Sequence, residues 1–168
     1  MKKFILTLFF ALSLFAEGIY YKEDISAKEA YEMQKSGAIV IDVRTPHEFL
    51  YAGHGVGHIN VPAFYFDIKT KELKQRENLS KVEIEKNKPF DAHKMYDIRD
   101  IENEKLFDEV KTIAKNKLDQ PIIFICRTGI RSQYAANIVA QKGFENVYNV
   151  KEGFLNGWKK ENLPWGVE

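Results

Sequence analysis

Apolar and polar positions along the chain alternate between the periods that are typical of strands and helices. Short apolar, β-branched runs predict buried strands at 38–43, 121–126 and 147–150. Apolar residues at helical spacing predict helices at 102–117 and 132–141. Ser26 with Glu29 forms a capping box that opens a shorter helix ending near Gly37. Because strands alternate with helices, we predict an α/β fold with a central parallel sheet, helices on both faces, and a ligand site at the carboxyl ends of the strands.

Cys126, the only cysteine of the chain, ends one of these strands and opens a short basic loop. The loop reads Cys126-Arg127-Thr128-Gly129-Ile130-Arg131-Ser132, and the N-terminus of the following helix points back at it. Successive loop amides and a helix N-terminus form an anion-binding concavity, to which two arginines add positive charge. Such surroundings favour the thiolate, so we predict a nucleophilic cysteine rather than a buried, inert one.

The spacing of this loop separates two kinds of chemistry. Tyrosine phosphatases carry Cys-x5-Arg, in which the arginine grips phosphoryl oxygens through paired hydrogen bonds. Here Arg131 arrives one residue earlier, which closes a smaller ring of amides around the sulfur. The run resembles the active-site loop of rhodanese-type sulfurtransferases, and its length favours sulfur over phosphate.

The resemblance to a single rhodanese domain extends to four ordered segments, at 39–49, 53–62, 126–132 and 143–158. The first of them contains Asp-Val-Arg-Thr-Pro-His-Glu-Phe. The second departs from the family pattern at Gly55, where isoleucine is usual, and at His58, where a small residue is usual. Four motifs in order are more specific than any one alone, and they imply a rhodanese-like fold.

The resemblance also implies roles for individual residues. The loop amides would form the substrate cradle, which comprises Arg127, Thr128, Gly129, Ile130 and Arg131. Asp42 and Arg44 would form a structural ion pair and hydrogen-bond hub under the loop. Ser132 would either donate a hydrogen bond to the sulfur or cap the helix, and we expect the cap.

The implied reaction is a double displacement at Cys126. Its thiolate takes the outer sulfur of thiosulfate or polysulfide and passes it, as a persulfide, to a thiol, sulfide or cyanide acceptor. A sulfur carrier that serves a partner protein is the alternative. A cysteine-dependent phosphatase or arsenate reductase is a weaker one, because it needs a general acid that the sequence does not identify.

Three histidines lie close together in the sequence and suggest a metal site. The family pattern supplies a histidine only at the position of His54, without a metal, and the spacing of His47, His54 and His58 matches no known ligand set. We therefore expect neither a metal nor another cofactor.

Residues 1–18 predict a secretory signal peptide, with cleavage after Ala16 or Gly18. Lys2 and Lys3 precede an apolar stretch at 4–15, which is shorter than the roughly 18 residues that span a bilayer. An uncleaved anchor is the alternative. We expect a periplasmic or otherwise exported protein without a stable membrane anchor, in which a single cysteine forms no intrachain disulfide.

The remainder, 19–168, suits one domain with an excursion at about 66–100. Loss of the two N-terminal lysines leaves 23 of the 25 basic residues against 24 acidic ones, a balance that gives no reason to expect nucleic acid as a partner. Small sulfur-containing anions are the expected ligands. The excursion is rich in Lys, Glu and Asn, and we expect a solvated surface segment; covering a pocket or contacting a partner are the alternatives.

Overall fold

The computed structural model describes residues 18–85 and 92–167. In chain order, the strands are β1 (Glu23–Ile25), β2 (Ile39–Asp42), β3 (His54–Gly55), β4 (Ile59–Asn60), β5 (Phe64–Thr70), β6 (Tyr96–Glu102), β7 (Ile122–Ile125), β8 (Val147–Val150) and β9 (Trp165–Gly166). The α-helices are α1 (Ala27–Lys35), α2 (Pro46–Tyr51), α3 (Leu73–Glu85), α4 (Leu106–Ile113) and α5 (Ile130–Gln141). A short 3-10 helix (Ala92–Met95) precedes β6, and a π-helical segment (Phe154–Lys159), the closing helix, follows β8.

Within the described residues, five strands form the central sheet in the order β1-β8-β7-β2-β4, and every neighbouring pair is parallel. Strand β7 lies in the middle, and its four side chains are buried. Ile122 and Phe124 point into one core cluster, together with residues of α4 and α5. Ile123 and Ile125 point into the other, with residues of α1 and the closing helix. Burial on both faces explains the continuous apolar run, and the predicted fold class is confirmed.

Most of the predicted elements are present, but two of the predicted helices begin at other residues than expected. The capping box of Ser26 and Glu29 is present at the start of α1. The helix predicted from residue 102 begins only at Leu106, because Asn103 forms a turn: its side-chain oxygen accepts the Lys105 amide and its side-chain nitrogen donates to the Pro62 carbonyl. The helix predicted from residue 132 begins two residues earlier, at Ile130.

The excursion at 66–100 begins and ends in an antiparallel pair of strands, β5 and β6, which we call the arm. The pairing runs from Phe64 opposite Glu102 to Thr70 opposite Tyr96, and all seven β6 side chains are exposed. Helix α3 lies in the connection between the two strands. The excursion thus has secondary structure of its own, and much of it is open to solvent.

The described helices include none that is both long enough and apolar enough to cross a membrane. The predicted signal peptide falls on residues 1–17, outside the described part of the chain, and on Gly18, which precedes β1.

Candidate active site around Cys126

Cys126 follows β7 directly, at the carboxyl edge of the sheet, and its thiol is free. The residue is 1% exposed. Its Sγ accepts the Gly129 amide at 3.2 Å and lies 3.4 Å from the Ser132 Oγ. A backbone amide and a hydroxyl therefore both approach the sulfur at the N-terminus of α5. This is the arrangement that stabilises negative charge on a sulfur atom.

Gly129 makes the tight turn of the loop possible. Its φ of +100° lies in the left-handed region, and a Cβ there would overlap the Lys151 carbonyl oxygen and lie 2.9 Å from its carbon. Both observations exclude a larger residue, because left-handed backbone and close approach each favour glycine. Gly129 is also the N-cap of α5, so its amide can turn inward toward Cys126.

A second segment, after β8, supports the loop from behind. The Phe154 amide donates to the Cys126 carbonyl at 2.7 Å, and the Leu155 amide donates to the Arg127 carbonyl at 3.3 Å. Gly153, with φ +66°, lies so close that a Cβ would be 2.6 Å from the Arg127 backbone. This supporting role was not predicted from the sequence, although Gly153 belongs to the last segment that resembles the family.

Ser132 does not cap the helix, so the expected role is wrong. The N-cap is Gly129, because α5 begins earlier than the pattern indicated, and Ser132 is therefore buried within the first turn. Its hydroxyl lies 3.4 Å from the Cys126 Sγ and 3.0 Å from the Gly129 carbonyl oxygen. The one hydroxyl proton can serve either acceptor, and the sulfur is the acceptor that the alternative prediction named.

Arg131 is held by a carboxylate that the sequence analysis did not single out. Its two terminal nitrogens donate to the two oxygens of Glu48, each at 2.7 Å. Burial opposes ionisation of Glu48, but the bonds and charge of Arg131 outweigh it and keep the carboxyl pKa below its usual value. The same bonds raise the pKa of Arg131. The Asp-Val-Arg-Thr-Pro-His-Glu-Phe run was the available signal, since Glu48 stands in it.

The other cradle residues differ in what they offer a ligand. The side chains of Arg127 and Thr128 are exposed, and so is that of Ile130, whereas Gly129 is buried. Arg127 is thus a cation at the rim of the loop. Arg131 is paired with Glu48, so its positive charge at the loop is partly offset.

Asp42 and Arg44 form a buried hub beneath the loop. The Arg44 Nε and Nη2 bind the Asp42 carboxylate, and Nη2 also donates to the Gly53 carbonyl at 2.8 Å. The guanidinium lies 4.3 Å from the centre of the Phe154 ring. Asn60 donates to the backbone carbonyls of both hub residues. The hub links the end of β2 to the closing helix, which is the geometry expected of a structural ion pair.

Within the described residues, no group of three or more His, Cys, Asp or Glu side chains could hold a metal ion. His54 instead stacks on Phe49 with ring centres 3.8 Å apart. The His58 ring packs edge-on against Trp158 at 4.3 Å. Neither ring nitrogen of His58 has a hydrogen-bond partner in the part of the chain that the structure describes.

The two departures from the family pattern, Gly55 and His58, are in contact. A Cβ on Gly55 would lie 2.7 Å from the His58 Nδ1 and closer still to two other ring atoms. The ring therefore occupies the space that a side chain at position 55 would need. Burial lowers the pKa of His58 to about 3, and the charges of Arg44 and His54 add to the effect, so the ring is neutral near pH 7.

Comparisons with known proteins agree with this architecture. Residues 26–161 match the model of the Rhodanese-like domain family. The Uncharacterized protein RP600 of Rickettsia prowazekii is 32% identical over 150 residues, which cover 85% of this chain and 96% of that protein. The Thiosulfate sulfurtransferase GlpE of Haemophilus influenzae is 26% identical over 142 residues, covering 84% and 92% of the two chains.

Among solved structures, Rv0390 from M. tuberculosis superposes with a TM-score of 0.57 at 22% identity, covering 88% of this chain and 99% of that one. This likeness shows that the α/β fold is rhodanese-like. With a family match that spans most of its length and a fold that agrees, the chain belongs to the rhodanese family.

Proposed function

We propose that this chain is an exported sulfurtransferase, which moves a sulfane sulfur from thiosulfate or polysulfide through a Cys126 persulfide to a thiol, sulfide or cyanide acceptor. The proposal rests on one observation: the buried Cys126 sulfur accepts the Gly129 amide and lies within reach of the Ser132 hydroxyl. Preorganised donors at this position stabilise a thiolate and, after sulfur transfer, a persulfide anion. The similarity to a thiosulfate sulfurtransferase supports the same chemistry.

In the first step, the Cys126 thiolate attacks the outer sulfur of the donor. With thiosulfate, the new Sγ–S bond forms as the bond to the sulfite group breaks, and the sulfite keeps the electron pair. Sulfite is a stable anion, so the step needs no general acid. In the second step, an acceptor nucleophile removes the outer sulfur and the electron pair returns to Sγ, which restores the thiolate.

The surroundings of Arg131 argue against phosphate ester hydrolysis. A phosphatase would direct this guanidinium at phosphoryl oxygens, whereas here both of its terminal nitrogens are bonded to Glu48. Glu48 is engaged through both oxygens and its pKa is lowered, which suits a carboxylate partner and not a proton donor. The short Cys-x4-Arg loop points the same way.

A sulfur carrier that hands polysulfide sulfur to a partner protein is the second candidate. The exposed arm favours it, because Tyr65, Phe66 and Ile68 present apolar surface near the site. The carrier would form the same persulfide but would turn over slowly with small acceptors.

The experiment is intact mass spectrometry of the mature chain after incubation with thiosulfate or with polysulfide, beside Cys126→Ala. We expect a gain of one or more sulfur atoms that cyanide reverses and that the variant lacks. The chain has a single cysteine, so any gain is assigned without mapping. If neither donor adds sulfur to the chain while iodoacetamide still alkylates Cys126, sulfur transfer would be rejected.

Export is part of the proposal and has its own test. The basic and apolar character of residues 2–15 supports it. Expression of the full chain in a bacterial host, followed by cell fractionation and N-terminal sequencing, should yield a periplasmic chain that begins at Glu17 or Ile19. An intact N-terminus in the cytoplasmic fraction would contradict export.

A further inference from the structure

An apolar cleft of about 410 Å³ lies between α2 and the arm. The residues that line it come from the start of α2 and from β5: Thr45, Pro46, His47, Glu48, Tyr65, Phe66 and Ile68. Its volume falls in the range of about 300–1,000 Å³ that is usual for small-molecule pockets. One wall thus belongs to the excursion that the compact family pattern lacks, so the cleft is a feature of this chain.

The arm contributes exposed apolar side chains to this cleft. Phe66 is 42% exposed and Ile68 is 54% exposed. They are two residues apart on β5, so both point to the same face of the arm. Large apolar groups that remain accessible in a concave site are the usual signature of a ligand or partner surface.

The arm contacts α5, the helix that begins at the Cys126 loop. These contacts position the side of the cleft that the arm forms. Tyr134, on α5, packs on Phe64 at the root of β5 with ring centres 5.0 Å apart, and its hydroxyl donates to Glu102 at the end of β6. Burial and this hydrogen bond raise the pKa of Tyr134 to about 12, so the hydroxyl remains a donor. The backbone N–H of Asn103 donates to the Ala63 carbonyl at 2.9 Å, which joins the end of β6 to the start of β5. Both strands of the arm are therefore tied to the helix that begins at the Cys126 loop.

Glu48 connects the cleft to the loop. It lines the cleft, and its carboxylate holds Arg131 at 2.7 Å. Through Glu48, the cleft borders the ion pair that holds Arg131 of the Cys126 loop. Thiosulfate and polysulfide have no apolar body to bury, and the Glu48 carboxylate that lines the cleft is already paired with Arg131. The cleft suits an uncharged apolar group instead.

We propose that this cleft binds the apolar substituent of a low-molecular-weight thiol, the acceptor of the Cys126 persulfide sulfur; the inference rests on the proposed function. The acceptor thiol passes its proton to the outer sulfur of the Cys126 persulfide anion, and the resulting thiolate attacks that sulfur. An RS–S bond forms, the bond from Sγ to the outer sulfur breaks, and its electron pair stays on Sγ. The products are the hydropersulfide RS–SH and the Cys126 thiolate, so the step consumes no oxidant or reductant.

The test compares two alkyl thiols as acceptors, 2-phenylethanethiol and 2-mercaptoethanol, in single turnovers of the thiosulfate-loaded chain followed by intact mass. Their rates with glutathione persulfide correct for intrinsic reactivity. Burial of the phenyl group should raise the corrected kcat/KM at least about tenfold over that of 2-mercaptoethanol. Equal corrected values for the two thiols would overturn the proposal.

Two variants of the arm locate the effect. The preference is the rate with 2-phenylethanethiol divided by the rate with cyanide. Ile68→Ser should lower this ratio about fivefold or more. Ile98→Ser is the matched control, because Ile98 pairs with Ile68 in the arm, is also exposed, and does not line the cleft. Ile98→Ser should keep the preference, and an equal loss in both variants would refute the assignment to the cleft.

The outcomes separate this inference from the proposed function. A chain that never gains sulfur would overturn both. A chain that loads sulfur and yields thiocyanate with cyanide, but treats the two thiols alike, would retain the sulfurtransferase proposal and reject the apolar acceptor.

Discussion

Replacing Gly55 and His58, singly and together, would test whether the His58 ring occupies the space that a side chain at position 55 would need. A Cβ on Gly55 would overlap the His58 ring, which supplies its three nearest atoms, while the Gly55 φ lies outside the left-handed region. We expect Gly55→Ile alone to cost about 3 kcal/mol from overpacking. His58→Ala should cost about 2 kcal/mol, because it removes a ring packed on Trp158 and leaves a cavity. The double variant should be more stable than the sum of the single effects predicts, by about 2 kcal/mol.

The same ring should make the folded state sensitive to acid. The pKa of His58 is lowered from 6.5 to about 3 in the folded chain, so the unfolded chain takes up the proton first as the pH falls. The stability that depends on neutral His58 is complete above pH 6.5 and is lost progressively toward pH 3. The slope is about 1.4 kcal/mol per pH unit, which amounts to about 2 kcal/mol between pH 8 and pH 5.

Urea unfolding followed by circular dichroism, at pH 8 and pH 5, measures both effects. The wild type, the two single variants and the Gly55→Ile/His58→Ala double variant form a complete cycle. The double variant keeps the carboxylates of the wild type but lacks the buried ring, so it should lose about 2 kcal/mol less on acidification. Additive single effects would refute the shared space, and an equal loss of stability at pH 5 would refute the buried neutral histidine.

Four further substitutions test the loop. Glu48→Gln should release the charge of Arg131 and accelerate iodoacetamide alkylation of Cys126 several-fold, whereas Arg131→Gln should slow it; changes of the same sign would contradict the ion-pair account. Ser132→Ala should slow sulfur loading by about three- to tenfold, equivalent to about 1 kcal/mol, measured by intact mass against time, and an unchanged rate would exclude the hydroxyl as a donor to the sulfur. Gly129→Ala should lower the unfolding free energy by about 3 kcal/mol and abolish loading, and a stable, active variant would contradict the strained turn.

The features that could be predicted from the sequence are those that depend on near neighbours along the chain. The continuous apolar run of β7 predicted a strand buried on both faces, and the residues after it predicted a thiol in a tight basic loop. The capping box of Ser26 and Glu29 marked the start of α1. These features can be predicted because strand period, helix period, turn residues and caps each depend on only a few neighbouring residues.

Contacts between residues that are distant in sequence could not be predicted in this way, because they depend on how the elements pack. Glu48 and Arg131 are 83 residues apart in sequence, and their pairing depends on α2 lying beside the Cys126 loop. The contact of Tyr134 with the arm, and with it the cleft, depends likewise on the packing of β6 against α5. The start of α5 at Ile130 reflects the left-handed turn at Gly129, which the backbone after β8 enforces. Periodicity states which face of an element is buried, but the partner on that face is set by chain topology and by the volume left to fill.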